Sequence, residues 1–390
     1  MYKIATMNKI SPKGLSTFGE KYSIIENPDE ADGLILRSAD LHNVPFSSKI
    51  LAIARAGAGV NNIPLERCAE QGIVVFNSPG ANANAVKELV ISGMLLASRH
   101  IPQALKWTET LREDVKKSVE KGKSQFAGTE LKGKTLGVIG LGAIGVLVAN
   151  TCIKLGMKVY GYDPFISIQS AHELSHKIPV YKDLGQMLGE CDYITIHVPV
   201  SDNTKGMIDK RRFSEMKDDA VLLNYARDTL VNEDALLEAL ENNKLKYYIT
   251  DFPNSTIIGQ EHVIATPHLG ASTKEAEDNC AEMAAQSMME YMENGNIVNS
   301  VNFPECDLGP ISPDIDARIA MLNKNIPSIL GKITGILADL DINTKNLTNK
   351  SKGQFACTLI DIDGAEHVSR EKLTELLDFD GIIKVRVLKG

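Results

Sequence analysis

The sequence has no closely spaced cysteines and no long apolar run. No apolar stretch approaches the roughly 20 residues that a helix needs to cross a bilayer, so a membrane protein is not expected. The first nine residues form a short apolar strand broken by polar residues rather than the apolar core of a signal peptide, which predicts that the protein is not secreted. The scattered cysteines predict neither a disulfide framework nor a metal site, and they suit a reducing cytoplasm. They are Cys68, Cys152, Cys191, Cys280, Cys306 and Cys357.

The sequence also has fewer basic than acidic residues. With 42 Lys and Arg against 50 Asp and Glu, the formal net charge is -8, which opposes nonspecific attraction to nucleic acid or anionic lipid. Neither nucleic acid nor a membrane is therefore an expected partner. The composition is that of a globular protein, and 390 residues exceed what one hydrophobic core usually supports. We expect two or three domains.

Short apolar strands alternate with helical stretches up to about residue 98, and again from Lys134 onward. This alternation predicts an α/β protein with two doubly wound parallel-sheet domains. After the second set of strands, Ser272 and Glu275 have the spacing of a capping box, which predicts the start of a long helix that ends near Asn294. A proline-rich stretch at 299–313 is predicted to be a linker. The remaining strands and helices follow the order βαββαβ, which predicts a ferredoxin-like C-terminal domain.

A glycine-rich turn marks a candidate dinucleotide site. Gly140, Gly142 and Gly145 form a GxGxxG motif between an apolar strand and a helix. Such glycines permit the tight turn, the approach of a pyrophosphate to the helix N-terminus, and close packing of helix on strand. Asp163 ends the next strand, where an acid can accept hydrogen bonds from both ribose hydroxyls and repel a 2′-phosphate. The motif therefore predicts NAD as the cofactor rather than NADP.

Two polar residues follow apolar strands of the same predicted sheet. Arg227 follows the strand at 220–225, and His268 follows the strand at 262–266. An arginine can hold a carboxylate with two parallel hydrogen bonds, and a histidine can exchange a proton near neutral pH. Taken alone, each residue is more often structural, as a surface ion-pair partner or a hydrogen-bonded core group. Beside a nucleotide site, the two suit oxidation of a 2-hydroxy acid.

Four segments carry a resemblance to a known family. ARAGAGVNNI (54–63), GKTLGVIGLGAIG (133–145), NYARD (224–228) and TPHLGAST (266–273) are similar to the D-isomer-specific 2-hydroxyacid dehydrogenase family. The resemblance covers nearly the whole chain and points to a branch that acts on a phosphorylated substrate. It implies a discontinuous substrate-binding domain at 1–98 with a return segment at 280–312. It also implies an NAD-binding domain at 99–279 and an ACT-like regulatory domain at 316–390.

The resemblance also implies roles for individual residues. Arg227 would hold the substrate carboxylate, His268 would be the acid/base, and Asp251 would position the nicotinamide amide. The loop that begins at Arg55 would offer backbone N–H groups to the substrate, and Arg37 and Arg55 would be partners of its phosphate unless they only form ion pairs. The predicted cofactor-binding residues are Gly140, Gly142, Ala143, Ile144, Gly145, Asp163, His197, Pro199, Asp251 and Gly270. The predicted substrate-binding residues are Arg37, Arg55, Ala56 and Gly57.

The sequence departs from the family pattern at two places. Family members have a glutamate that hydrogen-bonds the catalytic histidine, but the segment after Asp251 contains no acid at the matching position. Glu261 lies just before the next strand and does not match it, so no glutamate is assigned. In addition, Arg227 is followed by Asp228 and Thr229 where glycines are usual.

The implied function is NAD-dependent oxidation of 3-phospho-D-glycerate to 3-phosphohydroxypyruvate, the first step of serine biosynthesis. A reductase of glyoxylate, hydroxypyruvate or another 2-keto acid is one alternative. A catalytically weak NAD-sensing protein is the other, because the glutamate is absent.

The C-terminal domain implies a homo-oligomer, either dimer or tetramer. It also implies an amino-acid effector such as serine, with Asn323, Asn325 and Asn343 near the implied site and Ser328 where a glycine is usual. The same domain could instead only dimerise, by pairing sheet edges.

Overall fold

The structure is a computed structural model that describes residues 1–363 and 369–389. The chain divides into two compact units. One contains Met1–Asn82 and Glu277–Gly390, and the other contains Ala83–Ala276. In the residues described, no helix has the length and apolar character that a membrane span requires.

The first unit begins with a five-stranded parallel sheet. Its strands are β1 (Tyr2–Thr6), β2 (Tyr22–Ile25), β3 (Gly33–Leu36), β4 (Ala52–Arg55) and β5 (Val74–Phe76), in the order β2-β1-β3-β4-β5. Helices α1 (Pro12–Leu15) and α2 (Leu65–Glu70) belong to the same part of the chain. Alternate strand residues enter two different apolar cores, as Ile35 and Leu34 do, so both faces of the sheet are covered. The predicted parallel sheet is confirmed.

The second unit contains a six-stranded parallel sheet in the order β11-β10-β9-β8-β6-β7. These strands are β6 (Thr135–Ile139), β7 (Lys158–Tyr162), β8 (Tyr193–Ile196), β9 (Ala220–Asn224), β10 (Leu245–Thr250) and β11 (Val263–Ala265). The helices are α3 (Ala83–Ser98), α4 (Ile101–Thr110), α5 (Val115–Gly122), α6 (Ala143–Lys154), α7 (Ile168–Glu173), α8 (Leu184–Glu190), α9 (Lys210–Glu215) and α10 (Glu233–Glu241). The strand order reverses at β6, the kind of position where ligands bind in such sheets.

A long helix, α11 (Lys274–Asn294), begins in the second unit and continues in the first. Its predicted capping box is off by one residue. The hydroxyl of Thr273 accepts the N–H of Ala276 at 3.1 Å, so Thr273 is the capping residue. The Ser272 hydroxyl instead points back to the carbonyl oxygen of His268. Both residues are good caps, and the sequence alone does not distinguish neighbouring capping residues.

The C-terminal part of the first unit is an antiparallel four-stranded sheet in the order β13-β14-β12-β15. Its elements are β12 (Ala317–Lys324), α12 (Ile329–Asp339), β13 (Asn343–Lys352), β14 (Phe355–Asp363), α13 (Arg370–Leu376) and β15 (Ile382–Lys389). The predicted βαββαβ order is confirmed. One face of the sheet packs on α12 and α13. The other face, with Leu322 and Leu359, joins a core that also contains Ile35 of β3.

Buried polar contacts attach this C-terminal sheet to the end of α11. Arg318 is 1% exposed and forms a bidentate ion pair with Asp361, and it also donates to the carbonyl oxygen of Asn294. Arg386 donates to the carbonyl oxygens of Tyr291 and Met292 at 3.0 and 2.5 Å. Cationic side chains at the carboxyl end of a helix favour its dipole. These hydrogen bonds therefore join the C-terminal sheet to α11 within the first unit.

The stretch 299–313, predicted to be a linker, contains no helix or strand but is firmly packed. Phe303 and Cys306 within it are buried in the same core as Leu322 of β12. The prolines in this stretch were correctly read as ending regular structure, whereas its burial was not predicted.

Candidate active site

The glycine turn between β6 and α6 has the shape of a dinucleotide site. Gly140 has a φ of +92°, and a Cβ added to it would lie 2.7 Å from the carbonyl oxygen of His197. A Cβ on Gly145 would collide with the carbonyl oxygen of Gly140. Gly142 precedes α6, and a Cβ on it would meet none of the described atoms within 4 Å. The turn therefore leaves open space at the N-terminus of α6, where an anion is favoured.

Asp163 is held beside this turn. Its Oδ2 accepts the N–H of Leu141 and its Oδ1 accepts the N–H of Phe165, both at 2.8 Å. Each carboxylate oxygen has two lone pairs, so both atoms retain an acceptor for a ribose hydroxyl. The negative charge opposes a 2′-phosphate at this position. The geometry fits NAD at the place that the sequence predicts.

His197 follows β8 and adjoins the same turn. Its Nε2 lies 2.9 Å from the hydroxyl oxygen of Thr195. The residue is half-buried, but its Nδ1 atom is buried and has no hydrogen-bond partner in the described chain. Burial lowers the pKa of His197 to about 3, so the ring is neutral at ordinary pH. A buried polar atom without a partner is uncommon, and it is consistent with a ligand that completes the site.

The other predicted cofactor residues lie at the ends of the same strands and helix. Ala143 and Ile144 form the first turn of α6, and Pro199 is exposed just beyond β8. Gly270 is buried near β11, where its N–H is 2.7 Å from Asp251 Oδ2. Their contacts with a cofactor stay predictions.

Arg227 stands on a loop shaped by a buried asparagine. Asn224, the last residue of β9, is fully buried, and its side chain donates to the carbonyl oxygen of Arg227 at 2.8 Å. Its Oδ1 accepts the N–H of Ala226 at 3.1 Å. Arg227 is exposed at the end of this loop, and Asp228 begins a short 3-10 helix where glycines were expected. The sequence analysis assigned no role to Asn224.

His268 stands on a second loop, shaped by Asp251. Asp251 is 1% exposed and follows β10. Its carboxylate accepts the Thr266 hydroxyl at 2.6 Å and the backbone N–H groups of Leu269 and Gly270, both at 2.7 Å. His268 has a φ of +55°, an unusual value for a residue with a side chain. The predicted contact of Asp251 with the nicotinamide stays a prediction, but its visible task is to hold the loop.

The strands bring the two loops together. Asn224, Thr250 and Ala265 lie in register at the carboxyl ends of β9, β10 and β11. Phe252, just after β10, has its ring centroid 4.8 Å from that of His268, and the Arg227 Cζ lies 5.7 Å from the Phe252 centroid. Arg227 and His268 therefore both lie against the ring of Phe252, a residue that the sequence analysis did not select.

Among the described residues, the ring of His268 has no carboxylate as a hydrogen-bond partner. Glu261 is exposed and pairs with His262 at 3.9 Å rather than with His268. Within Ala83–Ala276, all of which is described, no acid hydrogen-bonds the His268 ring.

In the first unit, Arg37 and Arg55 lie side by side. Arg55 pairs with Leu36 in the register of β4 and β3, and its Nε donates to the carbonyl oxygen of Arg37 at 3.0 Å. Arg37 forms an ion pair with Glu277. The two residues, predicted as phosphate partners, therefore lie at the carboxyl ends of the adjacent strands β3 and β4.

At two residues of the loop after Arg55, the N–H groups predicted to bind the substrate bond within the chain, and their contact with the substrate stays a prediction. Ala56 donates its N–H to the carbonyl oxygen of Leu36 at 2.7 Å, and Gly57 donates to the carbonyl oxygen of Arg55 at 2.8 Å. Both donors are already used. Gly57 has a φ of +149°, a backbone conformation that favours glycine.

The three predicted effector residues do not converge within one chain. Asn323 is 2% exposed, and its side chain bonds the carbonyl oxygen of Lys324 and the hydroxyl of Thr358. Asn325 donates to the carbonyl oxygen of Gly353. Asn343 begins β13, at the opposite end of the sheet from Asn323. A site between two copies stays a prediction.

A doubly wound sheet with this glycine turn, a ribose-site acid, and an arginine and histidine on adjacent strand ends defines a dinucleotide-dependent dehydrogenase domain. Comparison with known proteins shows which family of dehydrogenases this domain resembles. The model for the NAD binding domain of the D-isomer specific 2-hydroxyacid dehydrogenases matches residues 91–270.

Two curated relatives are named D-3-phosphoglycerate dehydrogenase. The protein from Haemophilus influenzae is 32% identical over 363 residues, which cover 88% of this chain and 83% of the relative. The protein from Methanocaldococcus jannaschii is 34% identical over 322 residues, which cover 80% of this chain. This chain spans only 60% of the length of that relative.

A solved structure of NAD⁺-bound 3-phosphoglycerate dehydrogenase from Entamoeba histolytica is also similar. It is 28% identical, with a TM-score of 0.62, and the match covers 77% of this chain and 98% of that chain. The chain belongs to the D-isomer specific 2-hydroxyacid dehydrogenase family and has its NAD-binding domain.

Proposed function

We propose that this chain is an NAD-dependent D-2-hydroxyacid dehydrogenase that oxidises 3-phospho-D-glycerate to 3-phosphohydroxypyruvate, the first step of serine biosynthesis. The observation that carries the proposal is the grouping of Arg227 and His268 around Phe252 at the carboxyl ends of β9, β10 and β11. The names of the relatives support the choice of substrate.

Each candidate residue has a chemical task in this proposal. Arg227 holds the substrate carboxylate with a bidentate hydrogen bond and polarises the oxygen on C2. His268 takes the proton of the 2-hydroxyl group, and it returns a proton to the keto oxygen in the reverse direction. NAD, when bound, accepts the hydride that leaves C2. Arg37 and Arg55, at the ends of adjacent strands, are the candidate partners of the phosphate, since guanidinium groups suit a phosphate dianion.

The test is a steady-state assay with NADH and four keto acids: 3-phosphohydroxypyruvate, hydroxypyruvate, glyoxylate and pyruvate. We expect kcat/KM to be highest for the phosphorylated acid. Comparable values for all four would contradict phosphate specificity and favour a general keto-acid reductase. Turnover of none of them, with NADH binding retained, would indicate an NAD-sensing protein.

We further propose that the C-terminal sheet is an ACT-like regulatory module, that the chain forms a dimer or tetramer, and that it acts in the cytoplasm. The βαββαβ order and the sheet order support the first point, and six free, buried thiols suit a reducing compartment. Serine titration of activity and light scattering with and without serine test the regulation and the assembly. Inhibition by serine with no change on addition of alanine would support an amino-acid effector site.

A further inference from the structure

Phe252 is in contact with both candidate catalytic side chains. Its ring and the ring of His268 are inclined by 55° at a centroid distance of 4.8 Å. The guanidinium carbon of Arg227 lies 5.7 Å from the centroid of the Phe252 ring. Phe252 is half-buried, whereas Arg227 and His268 are both exposed. The aromatic ring is therefore a partly buried surface against which two exposed side chains lie.

The backbone anchors this ring. The N–H of Phe252 donates to the Thr250 hydroxyl at 3.1 Å, and Asp251 beside it is buried and makes three hydrogen bonds to the His268 loop. The residue cannot shift without disturbing β10 or that loop.

We propose that Phe252 is a positioning residue that sets the orientation of His268 and Arg227 toward the substrate. This inference rests on the proposed function. A flat ring can pack edge-to-face with an imidazole and at the same time offer its electron-rich face to a guanidinium. The Phe252 ring restricts the side chains of His268 and Arg227 by packing. No carboxylate of the described segment hydrogen-bonds the His268 ring. An aliphatic side chain of similar volume provides neither interaction.

The kinetic test compares Phe252→Leu, Phe252→Tyr and the control Phe126→Leu. Phe126 is also half-buried in the same unit, and its ring packs on Trp107 at 5.3 Å and 50°, so its loss is a matched structural change away from Arg227 and His268. We expect Phe252→Leu to lower kcat by about tenfold with little change in the KM for NADH. Phe252→Tyr and Phe126→Leu should stay within about twofold of the wild type. In a His268→Gln background, Phe252→Leu should have a much smaller effect.

A second measurement does not depend on turnover. In protein labelled with carbon-13 at the Cε1 of its eight histidines, the His268 signal is identified by its loss in His268→Gln. We expect Phe252→Leu to move this signal, because the ring current of the phenyl group is removed, and Phe126→Leu to leave it in place.

The two proposals fail in different ways. A wild type that reduces no keto acid contradicts the proposed function. A wild type that is active together with an equally active Phe252→Leu, or an unmoved His268 signal in Phe252→Leu, overturns the positioning role alone.

Discussion

The carboxylate of Asp251 accepts the backbone N–H of Gly270 at 2.7 Å, which ties the end of β10 to the loop that carries His268. The N–H of Leu269 and the hydroxyl of Thr266 bind the same carboxylate. Because Asp251 is buried, these bonds are protected from competition with water. The left-handed backbone of His268 is therefore held by a charged residue that need not touch the substrate.

Asp251→Asn should disrupt this loop. An amide has one acceptor oxygen, so one of the backbone N–H groups would face an NH₂ group instead of an oxygen. We expect kcat/KM to fall by at least about tenfold and the free energy of unfolding to fall by roughly 1.5–3 kcal/mol, as is typical for a hydrogen bond to a charged group. Steady-state kinetics and urea unfolding measure the two effects. Thr266→Val removes one bond only and should have a smaller effect, whereas equal effects would show that Asp251 acts in another way.

Arg227→Lys should be strongly harmful although it keeps the charge. An ammonium group cannot reproduce the planar, bidentate contact with a carboxylate, and it packs less well over the Phe252 ring. We expect a loss of at least roughly 100-fold in kcat/KM, which corresponds to about 3 kcal/mol of transition-state binding. Arg211→Lys is the control, because Arg211 is an exposed partner of Glu215 on α9. Near-normal activity of Arg227→Lys would remove Arg227 from the mechanism.

Asp163→Asn and Asp163→Ala should separate the charge of this residue from its hydrogen bonds. Asparagine keeps an acceptor for the N–H of Leu141 but removes the charge that opposes a 2′-phosphate, whereas alanine removes both. We expect both variants to raise the relative use of NADPH, and Asp163→Ala to raise the Kd for NADH more than Asp163→Asn does. Fluorescence titration with each nucleotide measures this. A wild type that already prefers NADPH would contradict the assignment of Asp163.

The parts of this site that follow local rules could be predicted from the sequence. Gly140, Gly142 and Gly145 have fixed spacing, and strand ends such as those before Arg227 and His268 are visible as apolar runs followed by polar residues. Asp251 lies at an equally visible strand end, but its hydrogen bonds reach a separate loop, to Thr266, Leu269 and Gly270. Those of Asn224 stay within the loop that follows it, and they depend on how that loop turns. The aromatic contact of Phe252 with Arg227 and His268 depends on the register of three strands.

The attachment of the C-terminal sheet could not be predicted either. Arg318 and Asp361 are 43 residues apart, and Arg386 and Tyr291 are 95 apart. A charged residue in a strand usually indicates an exposed position, so Arg318 gave no sign that it is buried. The N–H group of Ala56 bonds the carbonyl oxygen of Leu36, and this bond could not be predicted because it depends on the neighbouring strand β3.

Arg318→Met should strongly destabilise the first unit. Among the residues that the structure describes, it would leave the buried carboxylate of Asp361 with only the amide of Asn346 as a side-chain partner. Loss of one member of a buried ion pair costs about 3–5 kcal/mol. The double variant Arg318→Met with Asp361→Leu should recover much of this loss, because no buried charge remains. Urea unfolding of the single and double variants measures the difference. A double variant that is no more stable than Arg318→Met would contradict the explanation.

His197 should make the second unit sensitive to acid. Burial lowers its pKa in the folded protein from 6.5 to about 3. Between these values the unfolded chain binds a proton that the folded chain does not, so the free energy of unfolding decreases as the pH falls below 6.5. At pH 5 this histidine should cost about 2 kcal/mol relative to pH 7, since each pH unit corresponds to about 1.4 kcal/mol.

His197→Gln removes the titrating group but can still hydrogen-bond the hydroxyl of Thr195. We expect the wild type to lose about 2 kcal/mol more than His197→Gln between pH 7 and pH 5, measured by urea unfolding at both values. Thr195→Val is the control, because it removes the hydrogen bond and keeps the imidazole. It should be less stable than the wild type at both pH values but keep the same dependence on pH. An identical dependence in His197→Gln would show that the pKa of His197 is the same in the folded and the unfolded protein, and the lowered pKa assigned to this histidine would then be wrong.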